Sequence, residues 1–404
     1  MTVGDAARWR VLALVCFALV LSMTTWFSAT AVTPELILVW SLSPSDAAWL
    51  TNMVQLGFVV GALGSSLVNL PDLVAPRKLM AASAALAALA NLSLLVAPSV
   101  GALLIARLVT GAALAGVYPP ALKLISTWFV QGRGTALGAV IGALTLGSAS
   151  PHLVRGLFDH LDWRAVVAGT SLATLGGSAI LGLCAREGPA PFSRAAFDPR
   201  QIAAVIRNRP LALANLGYFG HMWELYAMWG WFLVFVAAAP PSLGVPDART
   251  ASLITFAVIG CGWFGAVLGG VLADRIGRTA TAGAMLATSG VCALLIGFTF
   301  DGPAWLFGAV ALVWGLSAVG DSAQFSAMAT ELSDPRYVGT ALALQLGIGF
   351  GLTILSIHLV PALAEIVGWR WSFVILAPGP AIGFAAMVAL RRRPEAAKIA
   401  HGLR

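Results

Sequence analysis

Apolar runs of about twenty residues, separated by short clusters of Pro, Gly, Asp and Ser, set the rhythm of this chain. Runs of that length without strand-like alternation predict helices that cross a bilayer, because in lipid every backbone N–H and C=O must be satisfied within the element. Twelve segments are predicted, near 11–36, 47–70, 77–97, 101–127, 134–155, 163–185, 211–238, 251–272, 279–299, 303–329, 339–361 and 371–390. Turns fall at 42–46, 71–76, 240–247, 301–303 and 333–335. The expected fold is an all-α polytopic membrane protein of two pseudo-symmetric six-helix bundles. Residues 1–185 form the first bundle, 186–210 a linker, and 211–404 the second bundle with a short tail.

An internal repeat supports the two-bundle reading. Gly-Thr-Ala-Leu opens a stretch at Gly134 and again at Gly339, Ser-x-His-Leu-Val follows at Ser150 and Ser356, and Trp-Arg closes both at Trp163 and Trp369. Both copies start beside basic residues and end in a polar turn, so they cross in the same direction. The repeat is parallel, with an even number of crossings per half.

Composition agrees: 59% of residues are hydrophobic and 10% charged, against roughly a quarter charged in a soluble domain. The first apolar run has no small-residue cleavage site and reads as a retained helix, not a signal peptide. The net charge of +7 is explained by sidedness. An amino terminus in the cytoplasm puts 18 of the 24 basic residues inside, and leaves only Arg155, Arg164, Arg249 and Arg370 outside. Both termini are then cytoplasmic, the location is an inner or plasma membrane, and nucleic acid is not a partner. Cys16, Cys184, Cys261 and Cys292 sit in apolar runs without CxxC spacing, which predicts no disulfide.

Charge inside a membrane is costly, so its position is informative. Segments 3, 6, 9 and 12 carry none away from their ends. Interior charges are Arg107 and Lys123 in segment 4, Glu224 in segment 7 and Asp321 in segment 10, and segment 1 adds Trp26, Ser28 and Thr30. One helix in three thus furnishes a polar chamber. Segments 2, 5, 8 and 11 instead carry spaced glycines, such as Gly57 and Gly61 or Gly265 and Gly269, which are expected to form the seam between the halves.

Leu272-Ala-Asp-Arg-Ile-Gly-Arg278, between segments 8 and 9, resembles the signature loop of the major facilitator superfamily. Its counterpart at 70–78 keeps Asp72 and the basic pair Arg77 and Lys78 but lacks the central glycine. Arg107-Leu-Val-Thr-Gly111 is similar to that family's Arg-x-x-x-Gly motif, whereas segment 5 only loosely resembles the exporters' Gly-Pro motif. The resemblance covers the whole chain and implies a twelve-helix secondary transporter of bacterial type, with alternating access to a midplane site. A latch is expected from Asp72, Arg77, Asp274, Arg275, Gly277 and Arg278. In it Asp274 caps segment 9, while the arginines meet carboxylates or helix ends across the seam.

Glu224 falls about thirteen residues into segment 7, near mid-membrane at a rise of about 1.5 Å per residue. Held away from water among Tyr218, His221, Tyr226, Trp229 and Trp231, it suits a proton carrier. Proton coupling is expected from Glu224, Asp321 and His221. Each carboxylate has a plainer alternative as a static counter-ion of Arg107 or Lys123. Expected substrate-binding residues are Trp26, Arg107, Tyr118, Glu224, Trp229, Asp321, Gln324 and Gln345. Arg107 offers a fork for an anion, Tyr118 lies eleven residues on and on the same helical face, and Gln324 lies three residues beyond Asp321. His152 and His358 occupy equivalent places in the repeat, as an outer gate or as hydrogen-bonded interior residues.

The histidine spacing shows no i, i+4 pair and predicts no metal site. Gly260-Cys-Gly-Trp-Phe-Gly265 matches a dinucleotide pattern by letter only, since it lies within an apolar helix. No cofactor, nucleotide site or catalytic residue is expected, and the chain reads as a transporter and not an enzyme. The leading reading is a monomeric proton-coupled carrier of a small polar or anionic solute in a lipid bilayer. The alternatives are a proton-driven exporter of amphipathic, drug-like compounds and a transport-incompetent sensor.

Overall fold

A computed structural model describes residues 3–68, 70–129, 132–158, 162–190, 199–240, 243–244, 247–334 and 338–404. Arg194 and Arg336, counted above as cytoplasmic, lie outside the described residues. The chain divides into two compact units: unit 1 comprises Met1–Pro151 with His160–Phe197, and unit 2 comprises His152–Asp159 with Asp198–Arg404.

Within the described residues the regular structure is helical. Eleven helices are long and apolar enough to cross a membrane. The twelfth predicted segment, the seventh in order, is also a helix, Arg209–Ala237, of 29 residues. Its three Trp, two Tyr, one His and one Glu keep it from qualifying by composition. It is the most thoroughly buried of the long helices, with its polar and aromatic side chains turned into unit 2. Composition and burial agree here: this helix is solvated by protein. The expected linker is partly ordered, as a 3-10 turn Pro199–Gln201 and a short helix Ile202–Arg207.

Capping residues start the helices. Segment 2, Pro44–Leu67, begins with a capping box in which Ser43 Oγ accepts from the Asp46 amide and Asp46 accepts from the Ser43 amide. Asp162 starts segment 6, Trp163–Cys184, and Asn208 starts segment 7. Asp247 starts segment 8 by accepting from the Thr250 amide at 2.7 Å.

Among the described residues, segments 1, 4, 8 and 10 are interrupted in mid-course, and segment 12 changes from a 3-10 helix, Trp369–Leu376, to an α-helix, Pro378–Arg391. Segment 1 is a helix Val3–Met23, an irregular stretch, a 3-10 turn Thr30–Val32 and a short helix Thr33–Trp40. Segment 4 breaks between Val100–Leu114 and Tyr118–Ser126, where Pro119 and Pro120 supply no amide hydrogen to the preceding turn. Segment 8 breaks at Cys261 and segment 10 at Asp321, between Ala304–Gly320 and Ser322–Leu332. A break frees backbone groups that must find other partners.

The glycines correct an expectation. A Cβ on Gly57 or Gly61 would strike the carbonyls of Leu108 or Ala112 in segment 4, and a Cβ on Gly111 would strike that of Val54 in segment 2. Gly265 and Gly269 meet the carbonyls of Leu316 and Gly320 in segment 10 in the same way. These glycines therefore bring segment 2 onto segment 4, and segment 8 onto segment 10, each within its own unit. Lacking side chains, they let backbones approach closely, which is the main source of helix affinity in lipid. Segments 3 and 6, bland in charge, also turn a polar face inward, with Asn91, Thr170, Ser171 and Thr174 buried.

Candidate functional site

Among the described residues, each unit holds a buried polar cluster near its broken helices. In unit 1 the centre is Arg107, with no exposed surface. Its Nε donates to the Leu50 carbonyl at 3.2 Å and its Nη1 to the Thr25 carbonyl at 2.8 Å. Nη1 also reaches Ser28 Oγ and Asn91 Oδ1, each at 3.3 Å, while Nη2 donates to the Trp26 carbonyl. Two of those carbonyls, Thr25 and Trp26, belong to the irregular stretch of segment 1. The guanidinium thus takes over acceptors that the helix break released.

Hydroxyls and an amide extend this network. Ser28 donates to Asn91 Oδ1 at 2.6 Å, and the Asn91 amide nitrogen reaches Ser171 Oγ at 3.0 Å and the Val167 carbonyl at 3.3 Å on segment 6. Thr24 donates to the Thr170 carbonyl at 3.0 Å and lies 3.2 Å from Thr174 Oγ1. Thr30 and Thr51 pair at 2.9 Å between segments 1 and 2. No carboxylate pairs with Arg107 among the described residues, so the expected anion fork is occupied by the protein's own backbone.

Trp26, expected to touch substrate, is buried against Phe58, with ring centroids 5.0 Å apart. Tyr118 is half-buried at the start of the second helix of segment 4. The intervening break removes the shared helical face inferred from its spacing to Arg107.

In unit 2 the centre is an imidazole between an acid and a hydroxyl. His221 Nδ1 lies 2.8 Å from Asp321 Oδ1, and His221 Nε2 lies 3.0 Å from Ser322 Oγ. Segment 7 supplies the histidine, and the break of segment 10 supplies both partners. Tyr218 and Phe325 wall the imidazole, with centroids 6.1 and 5.7 Å from its own. Glu224 is buried, and its Oε1 accepts from the Trp314 indole at 2.5 Å. Ser289 and Cys292 of segment 9 and Asp321 of segment 10 also interact with its carboxylate.

Aromatic side chains fill the space around this cluster. Tyr226 stacks near Trp229 and Phe350, at 5.5 and 5.2 Å between centroids. Trp223 and Trp231 donate to the carbonyls of Ile375 and Ile357, at 2.9 and 2.7 Å. Segment 7 is thereby tied to segments 12 and 11.

Two expected binding residues serve elsewhere. Gln324 donates to the Gly269 carbonyl and accepts from Arg278 Nη1, both at 3.3 Å, so it belongs to the turn between segments 8 and 9. Gln345 donates to Asn215 Oδ1 at 2.9 Å and joins segment 11 to segment 7. His358 lies 3.0 Å from the Ile354 carbonyl of its own helix. His152 is fully buried with no hydrogen-bond partner at either nitrogen among the described residues, so the repeat does not give the two imidazoles matching surroundings.

The expected latch is partly redrawn. Arg278 forms a forked ion pair with Glu331, its Nη2 at 2.8 Å from Oε1 and its Nε at 3.0 Å from Oε2. Glu331 Oε2 also accepts from the Ala400 amide of the tail, at 3.2 Å. Gly277 has φ +94°, and a Cβ there would collide with the backbone of Leu403 and Arg404. Asp274 does not cap segment 9, whose N-cap is Gly277 without a side-chain bond. Asp274, Arg275 and Arg77 are exposed and make no hydrogen bond or ion pair among the described residues; the side chain of Asp72 lies outside them.

The sequence reading missed Asn91, Trp314, Ser322 and Glu331. Asn91, Trp314 and Ser322 carry no charge that marks them in the sequence, and Glu331 falls just beyond the predicted end of segment 10. An acid at a helix end near a basic turn was the available signal.

The family model described as Major Facilitator Superfamily matches residues 15–246 and 225–402. MFS-type transporter pynF of Aspergillus niger is 25% identical over 244 residues, covering 58% of this chain and 53% of that protein. The puromycin resistance protein pur8 of Streptomyces alboniger is 31% identical over 164 residues, covering 40% and 32% respectively. Agnestins efflux protein AgnL12 of Paecilomyces divaricatus is 26% identical over 180 residues, covering 42% and 37%. The chain spans about half the length of these relatives, or less.

Among solved structures, an alanine mutant of the nucleoside transporter NupG superposes with a TM-score of 0.72 at 14% identity, over 94% of this chain and 99% of the other. A bacterial homologue of the human lysosomal transporter Spinster, in an inward-facing and unoccupied conformation, superposes with a TM-score of 0.67 at 17% identity, over 96% and 99%. At these identities the likeness is one of fold.

Proposed function

This chain belongs to the major facilitator superfamily, and we propose that it is a secondary transporter working by alternating access and driven by protons through the acid and imidazole cluster of unit 2. As a member of that family it is a transporter of small molecules and not an enzyme. The observation that carries the coupling is His221 held between Asp321 at 2.8 Å and Ser322 at 3.0 Å, all three from two helices. An imidazole can receive a proton at one nitrogen and release one at the other, and the carboxylate fixes which tautomer is present. Glu224, on Trp314, is the second acid of the same unit. Ionisable groups buried at membrane depth mark proton and solute paths.

Both termini lie in the cytoplasm under the positive-inside rule, in an inner or plasma membrane, and the working form is a monomer. For the solute, the small polar or anionic class loses its main contact once Arg107 is spent on carbonyls. The buried aromatic cluster of unit 2, Tyr218, Tyr226 and Trp229 beside two acids, would suit a molecule with an apolar or aromatic body if the cluster opens toward the solute path. That favours the second reading, proton-driven export of amphipathic compounds, and the names of the puromycin resistance and agnestins efflux relatives support it.

The test is reconstitution in liposomes under an imposed pH gradient, with a pH dye inside and a panel of organic acids, amino acids, nitrate and amphipathic dyes outside. Solute-dependent proton flux that Asp321→Asn abolishes is expected. Transport that persists unchanged after the gradient is collapsed, in wild type and variant alike, overturns the coupling.

A further inference from the structure

At the end of unit 2 that carries the turn between segments 8 and 9 there is a cavity of about 310 Å³. Asn208, Arg209, Pro210, Leu332, Arg393, Glu395 and Lys398 line it. None of these residues belongs to either polar cluster. It has room for several waters and for one phosphate group with a small polar substituent.

Its charge is uncompensated. Arg209, Arg393 and Lys398 make no ion pair or side-chain hydrogen bond among the described residues, and Glu395 is the one acid in the lining. Glu395 Oε2 is buried with no partner there. A buried carboxylate oxygen without a donor costs more than an ordinary lost hydrogen bond. The cavity therefore offers two complementary needs: an anion for three cations, and a donor for one acceptor.

The walls are firmly mounted. Asn208 donates to the Leu332 carbonyl at 3.0 Å while its Oδ1 caps segment 7 at the Leu211 amide. Leu332 follows Glu331, which holds Arg278 and the Ala400 amide. The 3-10 helix of the tail, Pro394–Gly402, which carries Glu395 and Lys398 and follows Arg393, is thus pinned at Ala400 to the ion pair of the 8–9 turn.

We propose that this cavity is a binding site for a phosphate ester that also carries a hydrogen-bond donor, with the phosphate on Arg209, Arg393 and Lys398 and the donor on Glu395. Two sources share that chemistry: a glycerophosphate lipid headgroup from the adjoining leaflet, and a free soluble phosphate ester. Basic pockets at the ends of membrane helices suit such headgroups. Occupancy joins segment 7, segment 10 and the tail, and so steadies the Arg278–Glu331 pair.

The experiment uses the full-length protein purified in a neutral detergent and stripped of lipid. Thermal unfolding is followed against added phosphatidylglycerol, phosphatidylcholine or soluble glycerol 3-phosphate. A concentration-dependent rise in midpoint with phosphatidylglycerol or glycerol 3-phosphate is expected. At about fivefold in affinity per cation, the Arg209→Gln, Arg393→Gln, Lys398→Gln triple variant weakens the response on the order of a hundredfold. Arg186→Gln with Arg392→Gln, a control at exposed arginines outside the cavity, keeps it.

Glu395→Gln retains anion binding but loses the preference for glycerol phosphate over methyl phosphate. A response to the lipid alone assigns the site to the membrane, and an equal response to glycerol 3-phosphate assigns it to a soluble ester. No response of the wild type to either, or an equal response from the triple variant, overturns the proposal. A midpoint unaltered without ligand shows that each variant is folded.

Discussion

The same place in the repeat is used in opposite ways by the two units. Segments 1 and 4 of unit 1 bring Arg107 onto the carbonyls of Thr25 and Trp26, where a permanent cation neutralises the ends of a broken helix. Segments 7 and 10 of unit 2 bring His221 onto Asp321 and Ser322, where every group can exchange a proton. The break that supplies the partners lies on segment 1, the first helix of the pair, in unit 1 and on segment 10, the second, in unit 2. An arginine cannot be deprotonated in a protein, so it anchors. An imidazole beside a carboxylate can change state, which suits the proposed switch.

Four measurements break or sharpen this contrast. The largest effect is expected from Arg107→Met, which leaves several buried acceptors without donors at about 1–3 kcal/mol each. Unit 1 then unfolds first, and the thermal midpoint or the folded yield collapses. A variant that folds normally and loses only solute binding would return Arg107 to the substrate list. Next comes Asp321→Asn, which keeps the shape of the site but not its acid. Proton-coupled flux is expected to fall at least on the order of a hundredfold, the usual worth of a positioned acid or base, with the thermal midpoint near wild type.

Glu224→Gln is expected to act more mildly, removing the pH dependence of transport before it removes solute binding. Unchanged coupling in that variant would leave Asp321 and His221 as the sole carriers. The smallest effects belong to the exposed helix caps, one in each unit: Asp162→Ala and Asp247→Ala each lower the thermal midpoint slightly and leave flux unchanged. The Arg164 side chain beside Asp162 and the Thr250 amide on Asp247 hold both carboxylates below the usual range. Their stabilisation is therefore present above the unfolded value of about 3.9 and lost as pH falls through the lower folded value. Melting curves between pH 7 and 3 check this, and a rise in stability on acidification would contradict it.

Much of the fold is legible in the chain because lipid makes hydrophobic run length nearly decisive. The seventh segment shows the limit of that rule. Its Trp, Tyr, His and Glu content lowers its apolarity because its solvent is protein, and only the repeat identifies it as a counterpart of segment 1. For the clusters, charge position pointed to Arg107, Glu224 and Asp321 and to the imidazole of His221. Partners were harder to read. Asn91 and Trp314 are uncharged, and their roles follow from contacts between helices 16 to 90 positions apart in the chain. The spacing argument for Tyr118 failed because Pro119 and Pro120 break the helix that it assumed to be continuous. The glycine stripes were recognised as sites of close approach, but pattern alone could not say which neighbour approaches.

The peptide oxygen of Gly320 rests against Gly269, and the next residue in the chain is Asp321. Two rods that touch main chain to main chain have no side chain between them to absorb a push. A displacement of the Arg278 turn, nine residues beyond Gly269, is therefore expected to reach the carboxylate beside His221 through that contact. Under the proposed coupling, this close approach of Gly269 and Gly320 is where helix movement and proton transfer meet.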